Sequence, residues 1–304
     1  MALHDDEIAI DVALVRALVG RDRPDLAAAP LRPLDTTGSS NALFRLGPDL
    51  LVRLPRQPGG SATIDKEARW LPYVARALPV AVPEIFALGG PGRGYPERWS
   101  VVRWLEGEVP GPGTGSVPLA RDLAAVIDAL RELPVPDDAA ADPALHWYRA
   151  EPLDRVDGAI RDYLAQCREL PGLDLDVDAC ARVWDDAMAQ PAAGPAARPR
   201  WLHGDLLGEN LLVRDGRLTA VLDFGGLAVG DPTVDLAVAW DVLDATGRDA
   251  FRALLGVDDL TWQRARAWAL ALAVMTFPYY GATMPQRCAA RLATAHAVLA
   301  DTAA

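Results

Sequence analysis

Apolar side chains recur at Ile8, Val12, Val15 and Val19, with Leu14 and Leu18 beside them and Gly20 next in line. That spacing predicts an amphipathic helix over 7–19, with the glycine as its stop. The period then shortens. Ala42 to Leu46 and Leu50 to Leu54 are short apolar runs joined by Gly47-Pro48-Asp49, which reads as a β-hairpin. A helix is expected over 64–78, kinked or divided by Pro72. Two more strands are expected over 85–88 and 99–105, around a glycine-rich turn. Strands with one intervening helix predict a small α+β domain covering residues 1–105.

The stretch from Gly107 to Pro118, GEVPGPGTGSVP, is rich in glycine and proline and reads as a linker. Helical spacing dominates after it, over 121–133, 153–169 and 177–190. An Ala/Pro/Gly loop is expected over 191–199, a compact β segment over 210–224, and further helices from Val234 onward. The second domain, 106–304, is therefore larger and mainly helical. No repeat at 20–50 residues is visible.

The chain has 304 residues, of which 51% are hydrophobic and 24% charged, enough for two modest globular domains. No apolar run approaches the roughly 20 residues that span a bilayer. The N-terminal MALHDDEIAI is acidic where an export signal is basic, and three cysteines (Cys167, Cys180, Cys288) form no CxxC pair. A cytoplasmic chain with reduced thiols is expected, with no membrane partner. The net charge of −12 disfavours nucleic acid as a partner. It is compatible with a cationic substrate, and equally with simple solubility. Lys66 is the only lysine; all other basic charge is arginine.

Candidate chemistry concentrates in residues 201–237, WLHGDLLGENLLVRDGRLTAVLDFGGLAVGDPTVDLA. Asp215-Gly216 between two apolar runs is a two-residue hairpin signal. Counting back from it, Arg214 opposes Arg217, Leu212 opposes Thr219 and Asn210 opposes Val221. Asp223, two residues beyond Val221, then shares a face with Asn210, roughly 7–8 Å away as a diagonal neighbour. An amide and a carboxylate so placed suit Mg2+, which takes its remaining ligands from water and substrate phosphates. Asp205, five residues before Asn210, is placed to accept a proton from a hydroxyl attacking a γ-phosphate.

HGDLLGEN resembles the catalytic loop of protein-kinase-like enzymes, in the His-Gly-Asp form of aminoglycoside phosphotransferases and their relatives, and LDFGG looks like their Asp-Phe-Gly-type metal motif. The resemblance implies a bilobal α+β fold with a small β-rich N-lobe and a larger helical C-lobe. It also implies ATP or GTP as co-substrate, Asp205 as catalytic base, and Asn210 and Asp223 as magnesium ligands. His203 is expected to buttress the loop, and Asp235 to cap or support structure, while Asp231 is a weaker site candidate.

In the N-lobe, Ser39, Ser40 and Asn41 sit where a phosphate-cradling loop belongs, although the segment 34–47 is neither GxGxxG nor Walker A. Where kinases usually carry a lysine, LLVRLP places Arg53. Glu67 is its natural partner, with Lys66 as a rival cation. Backbone groups of Arg103, Trp104 and Leu105 are expected to dock the adenine, with Trp104 itself either a lid or, by preference, part of the core.

A small-molecule acceptor is expected. Residues 121–200 hold sixteen acidic and nine basic residues, a net of −7. An acidic acceptor pocket would suit an aminoglycoside, and a solvated helical face explains the same count. The run FPYYGATMP (277–285) either lines a hydrophobic acceptor site, as a macrolide would need, or fills a helix interface. Three readings follow: a kinase of an antibiotic, a housekeeping kinase of a sugar, amino alcohol or other metabolite, and a non-catalytic nucleotide-binding protein, each as monomer or homodimer. No long activation loop follows Asp223, which argues against a protein substrate.

Overall fold

The computed structural model describes residues 6–34, 38–190 and 198–302. They divide into two compact units, Met1–Arg76 with Ala81–Glu106, and Ala77–Val80 with Gly107–Ala304.

The first unit contains α1 (Val12–Asp22), β1 (Leu31–Pro33), β2 (Asn41–Leu46), β3 (Leu50–Pro55), α2 (Ser61–Val74), β4 (Ile85–Gly89) and β5 (Trp99–Arg103). Its five strands form one antiparallel sheet in the order β1-β2-β3-β5-β4. Helix α1 starts later than the apolar period suggests. Asp11 caps it by accepting from the Leu14 amide at 2.7 Å, and the preceding chain runs alongside Arg56, with Ile8 N–H donating to its carbonyl at 2.7 Å. Ile8 and Ile10 still pack on the core, but from a non-helical segment. Gly20 does not stop the helix, which runs through it to Asp22 ahead of Pro24. Strand β1 was not foreseen; its Pro33 is tolerated because the strand lies at the sheet edge.

Helix α2 begins at Ser61 without a side-chain cap from Gly60. Glu97 supplies the cap from a distance: its carboxylate accepts from the amides of Gly59 (2.9 Å) and Ser61 (2.8 Å) and from the Ser61 hydroxyl. Pro72 does not divide the helix in two, because it lies in the last turn and the helix ends at Val74. The core gathers Val15, Leu18, Val52, Leu54, Trp99 and Val101, all essentially inaccessible.

The second unit contains α3 (Val117–Glu132), α4 (Asp137–Ala140), α5 (Asp157–Glu169), α6 (Val177–Met188), β6 (Arg200–Leu202), β7 (Leu211–Arg214), β8 (Arg217–Val221), β9 (Ala228–Gly230), α7 (Val238–Val242), α8 (Ala245–Leu255), α9 (Asp259–Tyr280) and α10 (Pro285–Thr302). Helix α9 is apolar on nearly every face from Ala265 to Val274 and packs among α5, α6 and α10. The strands pair as two short ribbons, β6 with β9 and β7 with β8. The expected loop 191–199 lies largely outside the described residues. Among the described residues no helix is long and apolar enough to cross a membrane.

Candidate active site

Strand β6 delivers the chain into His203-Gly204-Asp205, and the β7–β8 hairpin follows the loop. Its turn is Asp215-Gly216, both with positive φ (52° and 72°), the geometry that Asp-Gly favours. The register, however, slips by one. Arg214 opposes Arg217, but Leu212 opposes Ala220 and Leu211 opposes Val221. Thr219 is the extra residue of a bulge, its hydroxyl donating to the Leu212 carbonyl at 3.0 Å. Asn210 therefore faces Leu222, whose amide donates to the Asn210 carbonyl at 2.7 Å, and not Val221. The face-counting argument for Asn210 and Asp223 fails with it. Asp223 is turned instead by a left-handed backbone (φ 54°, ψ 73°), with its Oδ1 accepting from the Gly225 amide at 3.2 Å. Asn210 and Asp223 still flank a single hydrogen-bonded rung.

Asp205 and Asn210 are in contact. Asn210 Nδ2 donates to the Asp205 carbonyl (2.9 Å) and to Asp205 Oδ2 (3.1 Å). Its one acceptor, Oδ1, is thereby turned the other way. The loop around them is fixed by buried groups. His203 bridges it, one ring nitrogen within 2.9 Å of the Leu222 carbonyl and Nδ1 accepting from the Asp205 amide at 3.2 Å. Phe224 packs edge-on to the imidazole with ring centroids 4.7 Å apart. Asp235 does more than cap a helix. Its two oxygens accept from the backbone amides of His203 (2.7 Å) and Gly204 (2.8 Å), and its own pKa is pushed up by burial. Asp241 accepts from the Gly208 amide at 2.6 Å, from the Thr294 hydroxyl at 2.6 Å, and from Arg291. Glu209 is gripped by Arg287 and Arg291 of α10. Asp231 is the turn residue here, accepting from Thr233 N–H at 2.9 Å.

One residue of this cluster has no signal in the sequence. Arg149 forms an ion pair with Asp205 Oδ1 and donates to the Gly204 carbonyl at 3.2 Å, although 56 residues separate it from Asp205. Trp147 presses against the same loop: a Cβ added at Gly204 or Gly226 would lie 2.8 Å from its ring. Burial would raise the Asp205 pKa, but the Arg149 guanidinium outweighs it and holds the carboxyl below its ordinary value.

In the first unit, Arg53 and Glu67 form a buried two-pronged ion pair, Nη1 to Oε2 at 2.7 Å and Nη2 to Oε1 at 3.1 Å. Arg53 projects from β3, flanked by β2 and β5, and Glu67 from α2. The pair is buried rather than exposed at the surface. Of the loop residues, Ser40 is exposed, Ser39 is buried, and Asn41 is already the first residue of β2 and buried. Residues 35–37 of that loop lie outside the described residues. Strand β5 ends at Arg103. The amides of Arg103 and Trp104 donate to the carbonyls of Glu84 (2.9 Å) and Asp49 (2.8 Å). Trp104 is not a core residue: it is half-buried under the Arg45 guanidinium, 3.9 Å from its ring centroid. Near the C-terminus Phe277 and Met284 are buried, whereas Tyr279 is exposed and Tyr280 lies against Arg287.

Residues 31–268 match the phosphotransferase enzyme family. The chain belongs to that family. As a phosphotransferase with an alcohol group as acceptor, it carries the α+β, protein-kinase-like fold with a β-rich smaller part and a mainly helical larger one. The fold is similar to the GDP complex of wild-type aminoglycoside 2'-phosphotransferase-IIIa, with 20% identity over 96% of this chain and 100% of that one, at TM-score 0.72. It is similar also to a related enzyme in complex with GDP and kanamycin (19% identity, 95% and 97% covered, TM-score 0.69). Macrolide 2'-phosphotransferase MphH from Brachybacterium faecium has 23% identity, with 95% and 97% covered and TM-score 0.61. A search of curated proteins returns no match.

Proposed function

We propose that this phosphotransferase is a magnesium-dependent small-molecule kinase that moves the γ-phosphate of ATP or GTP to a hydroxyl. The observation that carries the reading is the contact between Asp205 and Asn210. A carboxylate held ionised by Arg149 can take the proton of an attacking hydroxyl. The Asn210 Nδ2 bonds fix that carboxylate and leave Oδ1 as a metal-facing donor. Related solved structures hold GDP or ADP, which supports a nucleotide co-substrate.

The donor set fits magnesium. Among the described residues no cluster of three or more His, Cys, Asp or Glu is built to hold a metal. An amide oxygen from Asn210 and a carboxylate from Asp223, completed by water and phosphate, is the sparse ligation this ion prefers. Bound there, it would neutralise charge on the phosphates. Arg53, aligned by Glu67, is assigned to a phosphate oxygen, and the amide of Leu105 to the base edge, since those of Arg103 and Trp104 are spent on backbone. Among the described residues of the loop, Ser40 is the hydroxyl exposed to a phosphate.

By analogy with enzymes of this fold, the first reading of the acceptor is an antibiotic that bears hydroxyls. A sugar or other metabolite is the second reading, favoured by the arginine on Asp205. The test is transfer of radiolabelled γ-phosphate with ATP and GTP, with and without Mg2+, across aminoglycosides, macrolides, amino sugars and neutral sugars. Asp205→Asn is expected to abolish transfer while nucleotide binding persists. Full transfer by that variant would remove Asp205 from the reaction.

A further inference from the structure

Three independent features around Asp205 bear on what the site will accept. The first is charge. Asp205 Oδ1 is paired with Arg149 and Oδ2 takes the Asn210 amide. Glu209, four residues on, is held by Arg287 and Arg291, and Asp241 by Arg291. Each of these three carboxylates thus meets a guanidinium group, so Asp205, Glu209 and Asp241 hold no uncompensated charge to draw in an ammonium group.

The second feature is where the acidic residues of 121–200 are. Thirteen of the sixteen are exposed and none is buried. The three half-buried ones are engaged: Asp122 with Arg217, Asp142 with the Ala144 amide, and Asp157 with Arg161 and Trp184. The acid-rich composition is a solvated face rather than the wall of a pocket.

The third feature is the surface beside Arg149. Its guanidinium carbon lies 4.6 Å from the Trp147 ring centroid and 5.6 Å from that of Tyr148, and its Nε donates to the Tyr148 hydroxyl at 2.9 Å. The Ala150 carbonyl receives the Asp231 amide at 2.8 Å, which fixes this segment to the turn before Asp235. Tyr148 is 42% exposed. A flat aromatic edge next to a guanidinium already paired with the base suits a ring bearing hydroxyls or a carboxylate, and offers no partner to an amine placed beside the reacting hydroxyl.

We infer that Arg149 is an acceptor-selecting residue, and that the natural acceptor presents its reacting hydroxyl on a ring with no positive charge next to it. The inference rests on the kinase reading and narrows it. In the transfer the acceptor O–H bond breaks with its proton passing to Asp205, the oxygen forms a bond to the γ-phosphorus, and the bond from that phosphorus to the β-bridging oxygen breaks, releasing the nucleoside diphosphate.

The experiment is calorimetric titration of kanamycin, a polyamine bearing hydroxyls, into the magnesium- and nucleotide-loaded protein at low salt. It compares wild type with Arg149→Gln and Arg149→Glu, with Arg149→Lys as the charge-retaining control. Kanamycin affinity is expected to rise at least tenfold in Arg149→Gln and further in Arg149→Glu, and to stay at the wild-type level in Arg149→Lys. A rise below tenfold in both charge-removing variants, or phosphorylation of kanamycin by the wild type, overturns the inference. Glutamine and glutamate are shorter than arginine but keep a polar end, and either variant suffices if the other fails to fold. Magnesium-dependent nucleotide binding by the wild type is scored separately; its absence removes the kinase reading itself, whatever the kanamycin titration gives.

Discussion

Arg53 is a guanidinium enclosed between two neighbouring strands, and Glu67 reaches it from α2 with both oxygens. Removing one member of such a pair leaves a buried charge alone and typically costs about 3–5 kcal/mol, whereas replacing both with apolar groups is close to neutral. Glu67→Ala is therefore expected to lower unfolding free energy by about that amount in urea titration. The double variant Arg53→Met with Glu67→Leu is expected to recover most of the loss while nucleotide binding stays abolished. Recovery of both together would mean that Arg53 has no part in holding nucleotide. Gly204 is as exacting for a different reason. Its φ of +78° is strained for any L side chain, and the Trp147 ring leaves no room for a Cβ. Gly204→Ala is expected to reduce transfer at least as severely as Asp205→Asn and to lower the melting temperature as well, which Asp205→Asn does much less.

Elements differ in how plainly they announce themselves. Hairpins and amphipathic helices were legible because their cues are local: Gly-Pro-Asp and Asp-Gly turns, period two, period three to four. What failed was decided by contacts from afar. The start of α1 depends on Asp11 and on Ile8 bonding to Arg56, while the apolar period alone runs on smoothly through Glu7. The bulge at Thr219 moves Asn210 by one position, and no residue type in β8 demands it. Asp205, Asn210 and Asp223 were legible as a motif, yet Arg149 was not, because proximity in the fold is invisible across 56 residues of chain. Asp235 makes a prediction at this scale. It holds two amides of the catalytic loop, so Asp235→Ala leaves both unpaired in a buried place, at roughly 1–3 kcal/mol each. Hydrogen exchange at His203 and Gly204 is expected to accelerate strongly while that of β7 and β8 changes little. Unchanged protection would show that Asp235 does not anchor the loop.

At the scale of the molecule, pH and thiol chemistry report on the same packing. Asp205 has a folded pKa held below its unfolded value, so the stabilisation is complete above the ordinary carboxylate range near pH 4 and fades as pH falls through the lowered folded value. Arg149→Gln removes the cation and leaves burial, so the acid limb of transfer is expected to shift to higher pH. A pH–rate profile that does not move would break the link between the two residues. Burial pushes the Cys167 and Cys180 thiols up to about 11 and about 12, whereas Cys288 is half-buried. A thiol reagent at pH 8 is expected to label Cys288 alone, with the other two appearing only on denaturation. The grip on Glu209 and Asp241 also has a genetic meaning. Arg287, Arg291 and Thr294 belong to α10, beyond the 31–268 span by which the family is recognised. A stop codon just after Met284 would spare every recognisable motif and still release the loop that bears Asp205, so an allele intact by motif inspection would be expected to behave as a null.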